Sequence, residues 1–207
     1  MFIFQTNYEL FNLKDLYNIK KRFKIKKLSI LDYGCGRAIH FDGKIDSKQI
    51  DSVYLYDKNK RLKTYLTKKF SNRKKIFVNF NKDQVFNDKI NLIIFSSVIQ
   101  YIGDKELEKI FIQIVKKYKK KKIYIFLNDI PTKNRFIEFL FLPLIDFKKF
   151  LYSLTLIFNM NYLNLKFYLH DIKKKIYITN HFSIKNLGYM SNSKYFREKY
   201  LLELNNK

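Results

Sequence analysis

A chain of 207 residues with 47% hydrophobic and 29% charged side chains carries enough apolar material for one sizeable core and too much for a disordered segment. Its net charge of +24 suggests nucleic acid, but it accompanies abundant Ile, Asn, Phe and Tyr with only 2 Pro, 5 Gly and no Trp, the composition an A/T-rich coding sequence imposes. The 42 Lys and Arg are spread along the chain, so a solvated basic surface with a weak attraction to anionic membranes or polyanions is the expectation.

The lone cysteine, Cys35, excludes an internal disulfide, and no Cys/His cluster has zinc spacing, so no metal is expected. The opening MFIFQTNYELF lacks a basic region followed by a long apolar run. No uncharged apolar stretch of about eighteen residues occurs. Neither a signal peptide nor a spanning helix is expected, and a cytoplasmic protein is the default.

In chain order, Tyr8 to Lys26 has Leu10, Phe11, Leu13, Leu16, Tyr17 and Ile19 at helical spacing, which predicts a lead-in helix broken near Lys24. Leu28, Ile30 and Leu31 then lead a strand that breaks at Asp32-Tyr33-Gly34-Cys35-Gly36. Strand, glycine turn and helix start is the usual build of a nucleotide site in an open parallel sheet. A dinucleotide fingerprint would need a third glycine where Ile39 stands, so that reading fails. The following AIHFDGKIDSKQID, with Gly43 in its middle, predicts a short helix from about Arg37.

Ser52 to Asp57 is a short β-branched and aromatic strand ending in an acid, 25 residues after Asp32. A carboxylate at a strand tip can accept from two adjacent ribose hydroxyls; the alternative for Asp57 is to cap the helical run Arg61, Leu62, Tyr65, Leu66 and Phe70. Lys75 to Phe80 reads as a third strand, followed by polar Asn79 and Asn81 at its end. Ile90 and Leu92 to Phe95 form the near-continuous apolar run of a parallel strand buried on both faces, ending at Ser96-Ser97. Asp104 is read as the cap of an amphipathic helix with Leu107, Ile110, Phe111, Ile114 and Val115 on one face.

Ile123 to Leu127 is a fifth strand, followed by Asn128, Asp129 and Pro131. Asp129 is the best-placed carboxylate for an acceptor hydroxyl or amine, with a turn residue before proline as the alternative. Arg135 to Tyr168 is long and aromatic, and predicts an inserted helical cover. In the tail, HFSIKNLGYM predicts a short helix ending at Gly188 and preceded by His181, with a closing strand near Lys199 to Leu204. The sixth strand is poorly marked.

The spacing acid-x-Gly-x-Gly-x-small at Asp32, Gly34, Gly36 and Ala38 resembles the first motif of class I S-adenosylmethionine-dependent methyltransferases, where glycine usually stands at the Ala38 position. Asp57 and the strand ending at Ser96-Ser97 resemble two further motifs in the right order, so the resemblance covers Leu28 to Leu127. Relatives often carry an acid and a histidine at the positions of Gln100 and Tyr101. The resemblance implies a Rossmann-like α/β fold: a mostly parallel, twisted sheet of about seven strands with helices on both faces. It implies a single domain over residues 1–207, with 131–170 a helical insertion or cover.

The implied cofactor is S-adenosyl-L-methionine. Asp32, Gly34, Cys35 and Gly36 would hold its methionine part, Asp57 its ribose and Asn79 its adenine, with Ser96 and Ser97 at the transfer site. Asp129 would orient the acceptor. A small-molecule or saccharide acceptor, including one on a surface polysaccharide or lipid carrier, is preferred. A tRNA or rRNA methyltransferase and a non-catalytic, methyltransferase-like binding protein are the alternatives.

Overall fold

A computed structural model describes residues 13–43, 48–81, 84–131, 168, 170–189 and 197–205. The first half alternates α1 (Leu13–Arg22), β1 (Leu28–Tyr33), β2 (Ile50–Tyr56), α2 (Leu62–Lys69), β3 (Ile76–Val78) and β4 (Leu92–Ser96). The second half has α3 (Asp104–Tyr118), β5 (Tyr124–Pro131), α4 (Ile176–Thr179), β6 (Phe182–Tyr189) and β7 (Arg197–Leu204). Among the described residues these strands form one 7-stranded sheet in the order β3-β2-β1-β4-β5-β7-β6. β1 to β5 run parallel, and β7 lies antiparallel between β5 and β6. The expected Rossmann-like architecture, including an antiparallel last strand, is therefore present.

The strands are apolar on both faces because both faces are covered. On one side Leu31, Ile93, Phe95, Ile125, Leu127 and Leu202 pack with Leu107, Ile110, Phe111 and Ile114 of α3. On the other, Leu28, Ile30, Val53, Leu55, Leu92 and Ile94 pack with Leu16 and Ile19 of α1 and Leu66 of α2. All six residues of β1 are buried, so Asp32 enters the core with the strand that carries it. The reversal of strand order beside β1 puts the tips of β1, β2 and β4 around one crevice, the usual ligand position in such sheets.

Four expectations change. The helix after the glycine turn is a single 3-10 turn, Ile39–Phe41, because Ala38 at φ 50° is left-handed and cannot begin an α-helix. Asp104 does not cap α3: Gly103 is the N-cap residue, without a side-chain bond, and Asp104 lies in the first turn, where its charge still suits the dipole. The expected helix ending at Gly188 is β6, while the helix lies just upstream at Ile176–Thr179. His181 therefore precedes a strand; its N–H donates to Ile178 O at 3.1 Å and its carbonyl accepts from Asn205 N at 2.9 Å.

β5 also runs past Leu127 to Pro131, so Asn128 and Asp129 lie within it rather than after it. Of the expected helical cover, only Pro131, Tyr168 and His170 fall among the described residues, and Tyr8, Leu10 and Phe11 of the expected lead-in helix lie outside them. No helix among the described residues is long and apolar enough to cross a membrane.

Candidate functional site at the tips of the parallel strands

The turn after β1 is built on the tip of β2. Gly34 N and Cys35 N both donate to Tyr56 O, at 2.7 and 3.0 Å, and Gly36 N donates to Asp57 Oδ2 at 2.9 Å. Gly34 and Gly36 have φ of 79° and 53°, which a side chain resists. The two glycines do different work. A Cβ on Gly34 would lie 2.3 Å from Val98 Cγ2, so this glycine is required by the loop after β4. A Cβ on Gly36 would meet nothing within 4 Å among the described residues, which leave the space over that glycine open.

Two carboxylates flank this opening. Asp32 is buried, its Oδ2 has no hydrogen-bond partner among the described residues, and burial followed by the nearby Asp57 charge pushes its carboxyl up to about 7. Asp57 is half-buried, accepting from Gly36 N through Oδ2 and from Asn59 N through Oδ1 at 2.7 Å. It does not cap α2, whose N-cap residue is Arg61. Each carboxylate oxygen can accept more than one bond, so Asp57 keeps capacity for a ligand hydroxyl. Cys35 is buried, and burial, then Asp32 and Asp57, push its thiol upward, so it stays protonated.

The tips of β4 and β5 form the opposite wall. Ser97 and Asp129 are both non-glycine residues in left-handed backbone, at φ 55° and 64°, and Ser97 Oγ donates to Asp129 Oδ2. Asn128 Nδ2 donates to Ser96 Oγ at 3.0 Å, and Ser97 N to Asn128 O at 3.1 Å. The cause lies in β5. Its pairing with β7 shifts register between Leu127 and Ile130, and these two residues, three apart, share one core face. Regular alternation would put them on opposite faces. The extra residue re-aims Asp129 at Ser97, as bulges near functional sites do.

Asn79, at the end of β3, has both ends of its amide in the following loop: Nδ2 donates to Gln84 O at 3.2 Å and Oδ1 accepts from Asn81 N at 2.8 Å. Asp32, Gly34, Cys35, Gly36 and Asp57 thus come together where the turn after β1 meets the tip of β2, Ser96, Ser97 and Asp129 form a second cluster at the tips of β4 and β5, and Asn79 stands at the β3 end. Sequence reasoning missed Val98, the bulge at Asn128-Asp129, and the buried His170, whose contact with Ile99 spans 71 positions. It also missed the aromatic layer under the turn, where the Tyr33 and Tyr56 ring centroids are 4.8 Å apart and Tyr33 stacks on Phe86 at 6.0 Å.

No family model matches the chain, and no curated protein matches it. Solved structures do. Magnesium protoporphyrin IX methyltransferase from Synechocystis PCC 6803 with bound S-adenosylhomocysteine aligns over 93% of this chain and 82% of its own, at 13% identity and a TM-score of 0.61. The PH0226 protein of Pyrococcus horikoshii OT3 aligns over 99% and 97%, at 15% identity and a TM-score of 0.58. A mycolic acid cyclopropane synthase aligns over 86% and 65%, at 14% identity and a TM-score of 0.57. The chain has the class I S-adenosylmethionine-dependent methyltransferase fold.

Proposed function

We propose that this chain is an S-adenosylmethionine-dependent methyltransferase acting on a small molecule or a saccharide. The observation that carries the reading is the open space over Gly36 between Asp32 and Asp57, with Asp57 tied to the turn itself. The residues fit the ligand. A buried carboxylate with an unpartnered oxygen is completed by a cation, and the α-ammonium of the methionine part is one. The half-buried Asp57 suits the ribose diol. Phosphate fits poorly between two carboxylates, and among the described residues no α-helix begins at this turn to receive one.

Bound there, S-adenosylmethionine supplies an activated methyl on a sulfonium, so the protein's task is alignment and exclusion of water. Asp32 and Asp57 fix the two ends of the donor. Gly36 leaves room for it. On the other wall Asp129, 8% exposed and held by Ser97, accepts a hydrogen bond from the acceptor's hydroxyl or amine. A carboxylate in that place favours a neutral or cationic acceptor over a phosphodiester backbone. The net charge of +24 favours the second reading, a tRNA or rRNA acceptor.

Calorimetry and thermal denaturation test the first step. S-adenosylmethionine or S-adenosylhomocysteine should raise the melting temperature and NAD should not; at a hundred times Kd the gain is about 2.7 kcal/mol. Equal stabilisation by NAD, or none by either methyl-donor form, refutes the reading. RNA binding that falls steeply with salt would shift the acceptor to nucleic acid.

A further inference from the structure

The loop after β4 is held from outside by a short segment far along the chain. Tyr168 N donates to Gln100 O at 2.8 Å, and His170 Nε2 lies 3.0 Å from Ile99 O. A carbonyl only accepts, so Nε2 carries the proton. The Tyr168 ring covers Gly103, where a Cβ would lie 3.4 Å from Cζ and Oη. His170 is fully buried; its Nδ1 lies 3.2 Å from Asp104 Oδ1, the oxygen that also receives Lys175 Nζ. The same loop begins with Val98, whose side chain occupies the space a Cβ on Gly34 would take. A continuous line of contacts thus runs from His170 through Ile99 and Val98 to the glycine turn.

We propose that His170 is a positioning residue that, with Nε2–H on Ile99 O, fixes the loop so that Val98 sets the glycine turn for the nucleoside ligand; this rests on the methyltransferase reading. Among the described residues, three side chains face the imidazole: Asp104 from α3, Lys175 from the turn before α4, and the Tyr168 ring, 6.3 Å away between centroids. Burial, then the Lys175 charge, hold the imidazole below the usual histidine range, with Ile99 O and Asp104 opposing in part. A folded value below the unfolded one means that the contribution is complete above about pH 6.5 and declines as the pH falls below it. Protonation at Nδ1 leaves Nε2–H on Ile99 O but adds a buried charge near Lys175, so acid weakens the packed segment that holds the loop.

The test is calorimetric titration of S-adenosylhomocysteine into wild type, His170→Ala and His170→Gln, at about pH 7.5 and about pH 5.5. A glutamine amide can reach the Ile99 carbonyl as Nε2–H does, and it does not titrate. At the higher pH, His170→Ala should weaken binding about threefold to thirtyfold, the range of remote coupled positions, and His170→Gln should stay near wild type. At the lower pH wild type should lose more affinity than His170→Gln. Asp32 titrates in both proteins, so only the difference reports His170.

Unchanged affinity in His170→Ala, or equal acid losses in wild type and His170→Gln, overturns the proposal. If His170→Ala does not fold, the comparison of wild type with His170→Gln decides alone. Wild type that fails to bind S-adenosylhomocysteine at either pH overturns the methyltransferase reading and this one with it. Wild type that binds, with variants unmoved, overturns this one only.

Discussion

Gly34→Ala should be far more costly than Gly36→Ala, although the two glycines share a turn and a left-handed backbone. Either substitution puts a Cβ on a residue at positive φ, at a cost of about 1–2 kcal/mol. At Gly36 that is all, since a Cβ meets nothing within 4 Å. At Gly34 the new Cβ would lie 2.3 Å from Val98 Cγ2, 2.8 Å from Val98 Cβ and 3.2 Å from Val98 Cγ1. A rotamer change can move the two methyls but not Cβ, which sits on the backbone, so the loop after β4 must shift. Overpacking of this kind adds about 1–3 kcal/mol, for a total near 2–5 kcal/mol.

Urea denaturation of the ligand-free variants gives the comparison directly. A Val98→Ala background should recover part of the Gly34→Ala loss, with a coupling of about 1 kcal/mol or more, because two of the three close atoms are removed. Equal losses at the two glycines, or no coupling to Val98, would refute the assignment of Gly34 to packing and Gly36 to the ligand.

Two further predictions concern the carboxylates. Asp57→Asn should lower S-adenosylhomocysteine affinity by roughly 1.5–3 kcal/mol and keep one of the two backbone acceptors, whereas Asp57→Ala should cost about 1 kcal/mol more stability by stripping both Gly36 N and Asn59 N of theirs. A loss of stability alone would make Asp57 a turn brace and nothing more. Asp32→Asn should stabilise the ligand-free protein at about pH 8 and abolish cofactor binding. The folded carboxyl of Asp32 lies near 7 against an unfolded value near 3.8, so wild type loses stability as the pH rises between them, and the gain from the substitution should vanish by about pH 4. Urea denaturation at both pH values checks it; a gain that persists at the acid end would refute the burial argument.

The parallel half of the sheet was legible because its strands are buried on both faces and read as unbroken apolar runs, Leu92 to Phe95 above all. The glycine turn was legible for a different reason: a backbone at positive φ favours glycine, so the residue type survives as a signal, as does the acid at the tip of β2 that accepts from Gly36 N. β6 was not legible, since Ser183, Lys185 and Asn186 are not buried and, among its described side chains, only Phe182 is fully sunk, which leaves little alternation to see. The bulge in β5 was hidden because Asn128, Asp129 and Pro131 carry the composition of a loop while continuing a strand. Val98 and His170 left no local trace at all. Their roles come from contacts across 64 and 71 positions, which no pattern within a window records.

With only a 3-10 turn after β1 among the described residues, the glycine turn has no helix of its own to lean on. Its amides are spent on Tyr56 O and Asp57, Lys69 Nζ donates to Arg37 O at 2.8 Å and pairs with Asp42, and Arg73 Nη2 donates to Asp42 O at 3.2 Å. Every one of these fasteners belongs to β2 and its tip, to α2, or to the bend that follows α2. The amide bonds of the turn itself belong to β2 and its tip, while α2 and the bend after it hold Arg37 and Asp42, so fraying of that short helix frees the residues after the turn first. The end of the glycine turn, encoded before residue 43, is thus fastened by a helix at Leu62–Lys69 that places no residue in the site.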